Sequence, residues 1–448
     1  MKANIYILSL GCPRNLVDSE ILTGILKRDN YNITENIKNA DVAILSTCVF
    51  INEAKEESVE YIFDLVKLKK QKIIKKIIVT GCFCQRYPQQ LKDEIPEIDA
   101  IVGFDYYPDI PKIVEGVLAG EKIYSVNKEC NFLQADNMPR ILATPKHFAY
   151  IKISEGCNQA CSFCIIPKIK GPLRSRPIDS IISEAEKLTK SGAKEIILIG
   201  QDTTTYGMDL YKKPVLDVLL DRVAQVKGIK WLRLLYTHPA LFSDKIIKVY
   251  QKNKNICRYV DLPIQHISDN MLKLMGRPGN KKNIIKLLKH VRAEISDVAI
   301  RSSLMVGFPH ESKSDFQELC DLVDEIRFER LGLFKYSQEE GTKAYNLKHQ
   351  VPEKIKEERF ETIMLKQQEI SRELNEQFIN KRIKVLIDRK DEDEKNTYSA
   401  RSQHDAPEVD GSVFVRSKEK ELDIGEFVNV KIVDTYEYDL VGDYVHKK

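Results

Sequence analysis

The sequence predicts an α/β protein in three parts: an N-terminal open parallel-sheet domain, a central partial (β/α) barrel and a small C-terminal antiparallel β-barrel. Three observations predict it. Short apolar runs alternate with amphipathic stretches near the N-terminus, a longer βα series without hairpin signals fills the middle, and short alternating runs separated by glycines and acidic turns fill the C-terminus.

The first strands are expected at Ile5 to Leu10, Val42 to Ser46 and Ile77 to Thr80, with helices between them, so residues 1–120 read as one domain. Residues 121–146 lack a clear period and carry Pro139 and Pro145, which marks a linker. Strands at 148–153, 195–199, 231–235, 258–262, 298–305 and 331–335, separated by at least five helical stretches, make the barrel. Its chemistry should lie at the C-terminal ends of these strands. An amphipathic helix over 352–380 closes the barrel domain, 147–379. Residues 380–448 then run as strands at Ile383 to Ile387, Ser412 to Val415 and Phe427 to Ile432, with the charged run Asp388 to Lys395 as a solvated hairpin tip.

Composition bounds the function. A chain of 448 residues exceeds what one core organises, and 43% hydrophobic residues supply material for several. No segment approaches the ~20 continuous apolar residues of a membrane span. The excess of 70 Lys+Arg over 66 Asp+Glu is too small to argue for a nucleic-acid partner. Residues 380–448 hold 13 Lys+Arg and 16 Asp+Glu, so the C-terminal domain is net negative and the remainder net positive. The run from Ile5 to Leu10 is shorter than the ~7 residues of a minimal export signal, so a reducing, cytoplasmic setting is expected. Clustered cysteines there bind metal or do redox chemistry more often than they form disulfides.

Cys157, Cys161 and Cys164 form a CxxxCxxC directly after the strand HFAYIKIS. Three thiolates on one tight loop suit three irons of a four-iron cluster, leaving the fourth iron free for a ligand. A zinc site is the alternative, although zinc knuckles usually close with a fourth Cys or His at short spacing. Cys12, Cys48 and Cys82 are far apart in sequence, yet each follows a predicted parallel strand. Such strand ends lie side by side at the ligand-binding edge of an open sheet, so these thiols should converge on a second cluster. Three ordinary buried cysteines would be the plain alternative, but that reading does not explain their shared register. Gly11 and Gly81 permit the turns these loops need. Cys84, Cys130, Cys257 and Cys320 lack comparable partners; Cys257 and Cys320 fall in apolar patterns and read as core, and Cys84, two residues from a proposed ligand, reads as structural with a spare thiol the alternative. Trp231 reads as core, and His238, His266 and His310 read as polar contacts.

On these motifs the chain resembles the radical S-adenosylmethionine (SAM) enzymes over residues 147–375. The three-cysteine N-terminal domain and a C-terminal barrel like a TRAM domain narrow the resemblance to the methylthiotransferases. SLGCPRNLVDSE (9–20), EGCNQACSFCIIPKIKGPLRSRP (155–177), GQDTTTYGMDLY (200–211), LPIQHISDNMLKLMGR (262–277) and KYSQEEGTKA (335–344) look like the members that act on a ribosomal protein. Members that act on tRNA would be expected to show GCQMN near the first cysteine and a PxPGT-type ending in place of Gln338 to Thr342.

The resemblance implies two 4Fe-4S clusters, one on Cys157, Cys161 and Cys164 and one on Cys12, Cys48 and Cys82. The first cleaves SAM to a radical that takes hydrogen from the β-carbon of an aspartate in ribosomal protein S twelve. The second presents sulfur that a further SAM methylates. It also implies that Phe163 packs near the adenine, that Gly200, Gln201 and Gly307 line the SAM pocket, and that Arg233 and Arg301 are candidates for a carboxylate, with a barrel-interior ion pair the alternative for each. The implied partners are S twelve on the small ribosomal subunit and a flavodoxin- or ferredoxin-type electron donor, with no membrane. Where the family usually has Gly-Glu-Thr after GFP, this chain has His310, Glu311 and Ser312. A tRNA methylthiotransferase is the nearest alternative; a tRNA-gripping barrel should be basic, and this one is acidic. A non-catalytic iron–sulfur carrier, from a different class, needs neither a six-unit barrel nor an open iron.

Overall fold

The first six strands, β1 (Asn4–Ser9), β2 (Asn32–Ile33), β3 (Val42–Thr47), β4 (Lys76–Gly81), β5 (Ala100–Val102) and β6 (Ile123–Ser125), form one sheet. The structure is a computed structural model that describes all residues except 1, 50, 137, 419, 447 and 448. The order is β2-β1-β3-β4-β5-β6, and every pair is parallel. β3 is buried at every position, as befits a strand covered on both faces. Val42 and Ile44 share a core with Val17, Ile21 and Ile25 of helix α1 (Pro13–Arg28). Ala43 and Leu45 face the opposite way, toward Ile62, Leu65 and Val66 of helix α2 (Asn52–Lys70).

The short strands β2, β5 and β6 are not legible in the sequence, and β6 falls inside the expected linker. The rest of that segment is laid against α1. The Ile141 and Ala143 N–H groups donate to the Glu20 backbone carbonyl and carboxylate at 3.1 and 2.8 Å. A Cβ on Gly24 would run into the Pro139 carbonyl.

The central strands are β7 (Phe148–Lys152), β10 (Glu195–Ile199), β11 (Trp231–Leu234), β12 (Tyr259–Asp261), β13 (Ala299–Val306) and β14 (Arg330–Lys335). A two-stranded antiparallel ribbon, β8 (Ser154–Glu155) and β9 (Arg174–Ser175), sits between β7 and β10 in the chain. The parallel sheets β11-β10-β7 and β12-β13-β14 meet through the bridge Leu232 to Ile256, so the strands run in chain order around a partial barrel left open between β7 and β14. Helix Glu353–Glu376 packs Ile363 and Ile370 into the barrel core, as its periodicity predicts.

The C-terminal strands β15 (Arg382–Lys390), β16 (Thr397–Ser402), β17 (Val413–Arg416), β18 (Phe427–Thr435) and β19 (Leu440–Val445) close in the order β15-β16-β17-β19-β18. The expectation of an antiparallel barrel needs one correction: β17 and β19 are parallel. Five strands in a closed ring cannot alternate direction throughout, so one pair must be parallel. Asp388 is also not part of a solvated tip; it accepts from Arg401 and contacts His147, both at 2.7 Å.

This barrel seats on the N-terminal ends of the central strands. Arg401 donates to Glu195 at 2.7 Å, Arg330 pairs with Asp405, and Trp231 meets Phe427 edge-on. The opposite, C-terminal ends of the strands stay free for chemistry. Among the described residues, no helix is long and apolar enough to cross a membrane.

Candidate functional site

Cys12 is the N-cap of α1, Cys48 follows β3, and Cys82 opens the short helix α3 (Cys82–Arg86) after β4. Because β1, β3 and β4 are neighbours, the three thiols converge. Gly11 and Gly81 take φ of 86° and 95°, where a side chain is strained. A Cβ on Gly11 would lie 2.6 Å from Cys48 Cβ, and one on Gly81 would lie 2.5 Å from the Thr47 carbonyl oxygen.

Asn15 ties these loops together, a role the sequence reading missed. Its buried amide donates to the carbonyls of Leu10 (3.0 Å) and Thr47 (2.8 Å), and its oxygen lies 3.8 Å from Cys82 Sγ. The legible signal was an amide one turn past Cys12. Burial pushes the Cys82 thiol up. At Cys12 burial acts the same way, but the Arg14 guanidinium and nearby backbone N–H groups outweigh it and lower the thiol.

Cys157, Cys161 and Cys164 lie on a loop clasped by the β8–β9 ribbon. Gly156 at φ 70° lets that loop leave β8, and a Cβ there would strike the Pro172 carbonyl. Ser162 N–H and Oγ donate to Met275 and Leu274 carbonyls at 2.8 Å, and the Ala344 N–H donates to the Ser162 carbonyl at 2.8 Å. The Gln159 N–H approaches Cys157 Sγ at 3.4 Å, and Arg277 lies 3.9 Å from Cys161 Sγ. All three thiols are partly exposed at the barrel mouth. Burial raises Cys157 to about 11 and Cys164 to about 12. Thiols held so high pass to thiolates when a cation binds.

Every central strand delivers a buried polar atom without a hydrogen bond just past its C-terminal end. They are Ser154 Oγ, Gln201 Oε1, His238 Nε2, His266 Nε2, Glu311 Oε1 and Tyr336 OH. His266 Nε2 and Glu311 Oε1 face each other at 3.7 Å; the other four, unpaired around one mouth, are costly in a finished core and fit a polar ligand. Burial, helped by Arg277, lowers His238 to about 3, so its ring is neutral there. Among the described residues no three His, Cys, Asp or Glu groups close on a single metal ion. A four-iron cube spreads its thiolates more widely than one ion does, and three thiols per loop set suit it.

The remaining sequence-predicted residues divide. Phe163 packs against the cluster of Met271, Met275, Phe308 and Tyr336 at the mouth. Gly200 accepts from Arg14 at 2.9 Å, and the Gln201 amide donates to Glu155 at 3.3 Å. Gly307, at φ 74°, gives its N–H to Glu311 and leaves room for Lys356. His310 has φ 68°, the conformation a glycine takes freely, while Ser312 caps helix Lys313–Ile326. Arg233 and Arg301 are held elsewhere. Arg233 donates to Glu195 at 2.9 Å and to the Gln403 carbonyl, and Arg301 pairs with Asp261 at 3.0 Å and Asp410 at 3.6 Å. Both arginines therefore bind the C-terminal domain into the barrel floor. Cys84, Cys130, Cys257 and Cys320 are buried, as expected.

The N-terminal domain covers the open side of the barrel from both lips. On the β7 lip, Asp18 of α1 holds Lys152 and Lys170, and Glu155 pairs with the same two lysines. On the β14 lip, Glu339 pairs with Lys55 (2.8 Å) and Arg86 (2.9 Å). Both cysteine sets thus meet at one junction, with Arg14 between them.

Comparison with known proteins agrees with this layout. Residues 4–103 match the model for Uncharacterized protein family UPF0004, residues 151–323 the Radical SAM superfamily, and residues 379–445 the TRAM domain. Among solved structures, the radical S-adenosylmethionine methyltransferase TsrM from Kitasatospora setae is similar in fold, with a TM-score of 0.53 at 12% identity over 74% of this chain and 73% of that one. The ribosomal protein uS12 methylthiotransferase RimO of Clostridioides difficile (strain 630) is 46% identical, covering 99% of both chains. Its counterpart in Desulforamulus reducens is 45% identical over 98% of this chain and 99% of its own. Likeness of that degree from end to end, carried through all three domains, makes this chain a member of the RimO family of radical SAM methylthiotransferases.

Proposed function

We propose that this protein inserts a methylthio group at the β-carbon of an aspartate in ribosomal protein uS12. The reading uses SAM with a 4Fe-4S cluster on Cys157, Cys161 and Cys164, and a second 4Fe-4S cluster on Cys12, Cys48 and Cys82. The observation that supports it is the meeting of two three-thiol sets at one barrel mouth. The β-carbon carries no acidic proton, so side-chain acid–base chemistry alone does not activate it. When bound, the cluster and SAM supply the one-electron chemistry that takes hydrogen from such a carbon.

The chain's own residues do the rest. The clasped loop presents three thiols at the mouth, which would hold three irons of a four-iron cluster. The unpaired atoms of Ser154, Gln201 and His238 offer polar contacts to SAM, and Phe163 an apolar surface to its adenine, with Gly200 and Gly307 keeping the backbone close. Asn15 fixes the three loops that hold the second set. The N-terminal domain closes the junction off from bulk solvent, which would keep dioxygen and stray hydrogen donors from a reactive carbon centre.

The acidic C-terminal domain suits a basic ribosomal protein better than tRNA, and the relatives are named for uS12. The protein works in the cytosol on uS12 in the small ribosomal subunit, with electrons from a flavodoxin- or ferredoxin-type donor. The test is mass spectrometry of uS12 and bulk tRNA after incubation with anaerobically reconstituted protein, SAM and reductant. A methylthio mass on a uS12 aspartate is expected; the same mass on tRNA alone overturns the substrate.

A further inference from the structure

Arg14 stands at the junction in a way no other arginine does. Its Nη1 donates to the Gly200 carbonyl at 2.9 Å, across the domain boundary. Its guanidinium lies over the ring of Tyr236, 4.6 Å from the centroid, and its charge faces Cys12. Its charge reaches Cys82 on one side and Cys157 and Cys164 on the other. The platform beneath it is fixed: Tyr236 is held at φ 60°, its N–H donating to Asp261 at 2.7 Å and its carbonyl accepting from Thr203 at 2.9 Å. A bulky residue kept in the left-handed region by its surroundings is a common mark of a working site.

The arginines buried at these domain junctions hold carboxylates: Arg86 holds Glu339, Arg140 holds Glu20, Arg176 holds Glu184 and Arg301 holds Asp261. Among the described residues Arg14 pairs with no acid, although it is half-buried. Arg277 and Arg174 also lack one, but the two Nη atoms of Arg277 are directed at the Pro263 carbonyl and Cys161 Sγ, and those of Arg174 at the Pro172, Phe132 and Lys170 carbonyls. A guanidinium carries five donors in a planar fork suited to a carboxylate, and Arg14 has donors left after Gly200.

Resting on the function proposed above, we infer that Arg14 binds the side-chain carboxylate of the substrate aspartate and so places its β-carbon between the two cysteine sets. The carboxylate is one bond from the carbon that reacts, so fixing it fixes that carbon. The same contact selects an acid over a neutral amide, because an asparagine would leave a desolvated cation without its partner.

The test uses the full-length protein with both clusters reconstituted, titrated with recombinant uS12 and with uS12 bearing Asn at the modified aspartate, in SAM without reductant. Binding is followed by fluorescence anisotropy. Wild-type protein should prefer the aspartate form by about tenfold, the size expected of one charge-assisted hydrogen-bonded contact. Arg14→Gln should bind both forms alike, and Arg14→Lys should retain part of the preference. Affinity for SAM in the absence of uS12 should not change. Should Arg14→Gln fail to hold both clusters, Arg14→Met replaces it, since its stem still covers Tyr236.

An Arg14→Gln protein that keeps the preference overturns the inference. So does one that loses SAM affinity without uS12 present, because the carboxylate is then that of SAM. Wild-type protein that modifies only tRNA overturns the function itself, a failure distinct from either, and removes this inference with it.

Discussion

Replacing Asp18 by Asn removes one charge from a buried set of four. Asp18, Lys152, Glu155 and Lys170 are each at most 3% exposed, and the two lysines and two carboxylates balance. Asp18 pairs with Lys152 and lies 3.1 Å from Lys170 Nζ, and Lys170 also sits over the Phe104 ring. In Asp18→Asn two lysines would face one carboxylate in a site closed to water. Removing one partner of a buried pair costs about 3–5 kcal/mol. Since Asp18 is on the N-terminal domain and the other three are on the barrel, the loss should appear first as release of that domain. Urea unfolding, read by proteolysis of the 126–146 segment, should show that step about 1 M or more earlier than in wild type. The double variant Asp18→Leu with Lys170→Met restores charge balance and should recover most of the loss. The network also has a pH signature. Burial would raise Glu155, but Lys152 and Lys170 pull it down to about 2, so its contribution is present above its ordinary pKa of 4.5 and lost as pH falls from there toward 2. That contribution is about 3 kcal/mol. An Asp18→Asn protein within 1 kcal/mol of wild type, with unchanged acid stability, would refute the reasoning.

Other expectations follow from the same geometry. Cys157→Ala should abolish SAM cleavage, whereas Cys48→Ala should spare cleavage and stop sulfur insertion, with iron falling from about eight to about four atoms per chain. Gly11→Ala, with its Cβ driven into Cys48, should lose iron selectively from the N-terminal set, seen as half the cluster absorbance. His310→Gly relieves a φ of 68° and should stabilise the protein by about 1 kcal/mol in urea titration, with activity unchanged. His238 is neutral when folded, with its pKa lowered to about 3, so stability is full above its ordinary 6.5 and falls as pH drops below it. His238→Gln should therefore lose about 2 kcal/mol less than wild type between pH 7 and pH 5.

The sequence made the two cysteine sets legible because each ligand follows a strong, apolar parallel strand, and such strands bring their ends together wherever the helices lie. It made the barrel legible for the same reason. It hid β2, β5 and β6, because two or three residues carry no period and edge strands are specified by their neighbour. Arg233 and Arg301 read equally well as ligand-binding cations and as barrel-interior ion pairs, because strand position alone does not say which end of a barrel an arginine serves. Their partners Glu195, Gln403 and Asp410 come from distant parts of the chain. Asn15 and Arg14 escaped notice for the opposite reason. Each lies next to an obvious cysteine, and only the third dimension shows that one laces three loops and the other crosses a domain boundary.

Anchoring of the N-terminal domain at both lips bears on how the chemistry is timed. Charges of Asp18 and Glu339 secure it at opposite edges, and the Pro139 to Ala143 strip runs along α1 as a third fastening. A lid held at three separate points does not swing on each turnover. The distance between the two cysteine sets is then a constant of the enzyme, and whatever must travel during the cycle is a substrate rather than a domain.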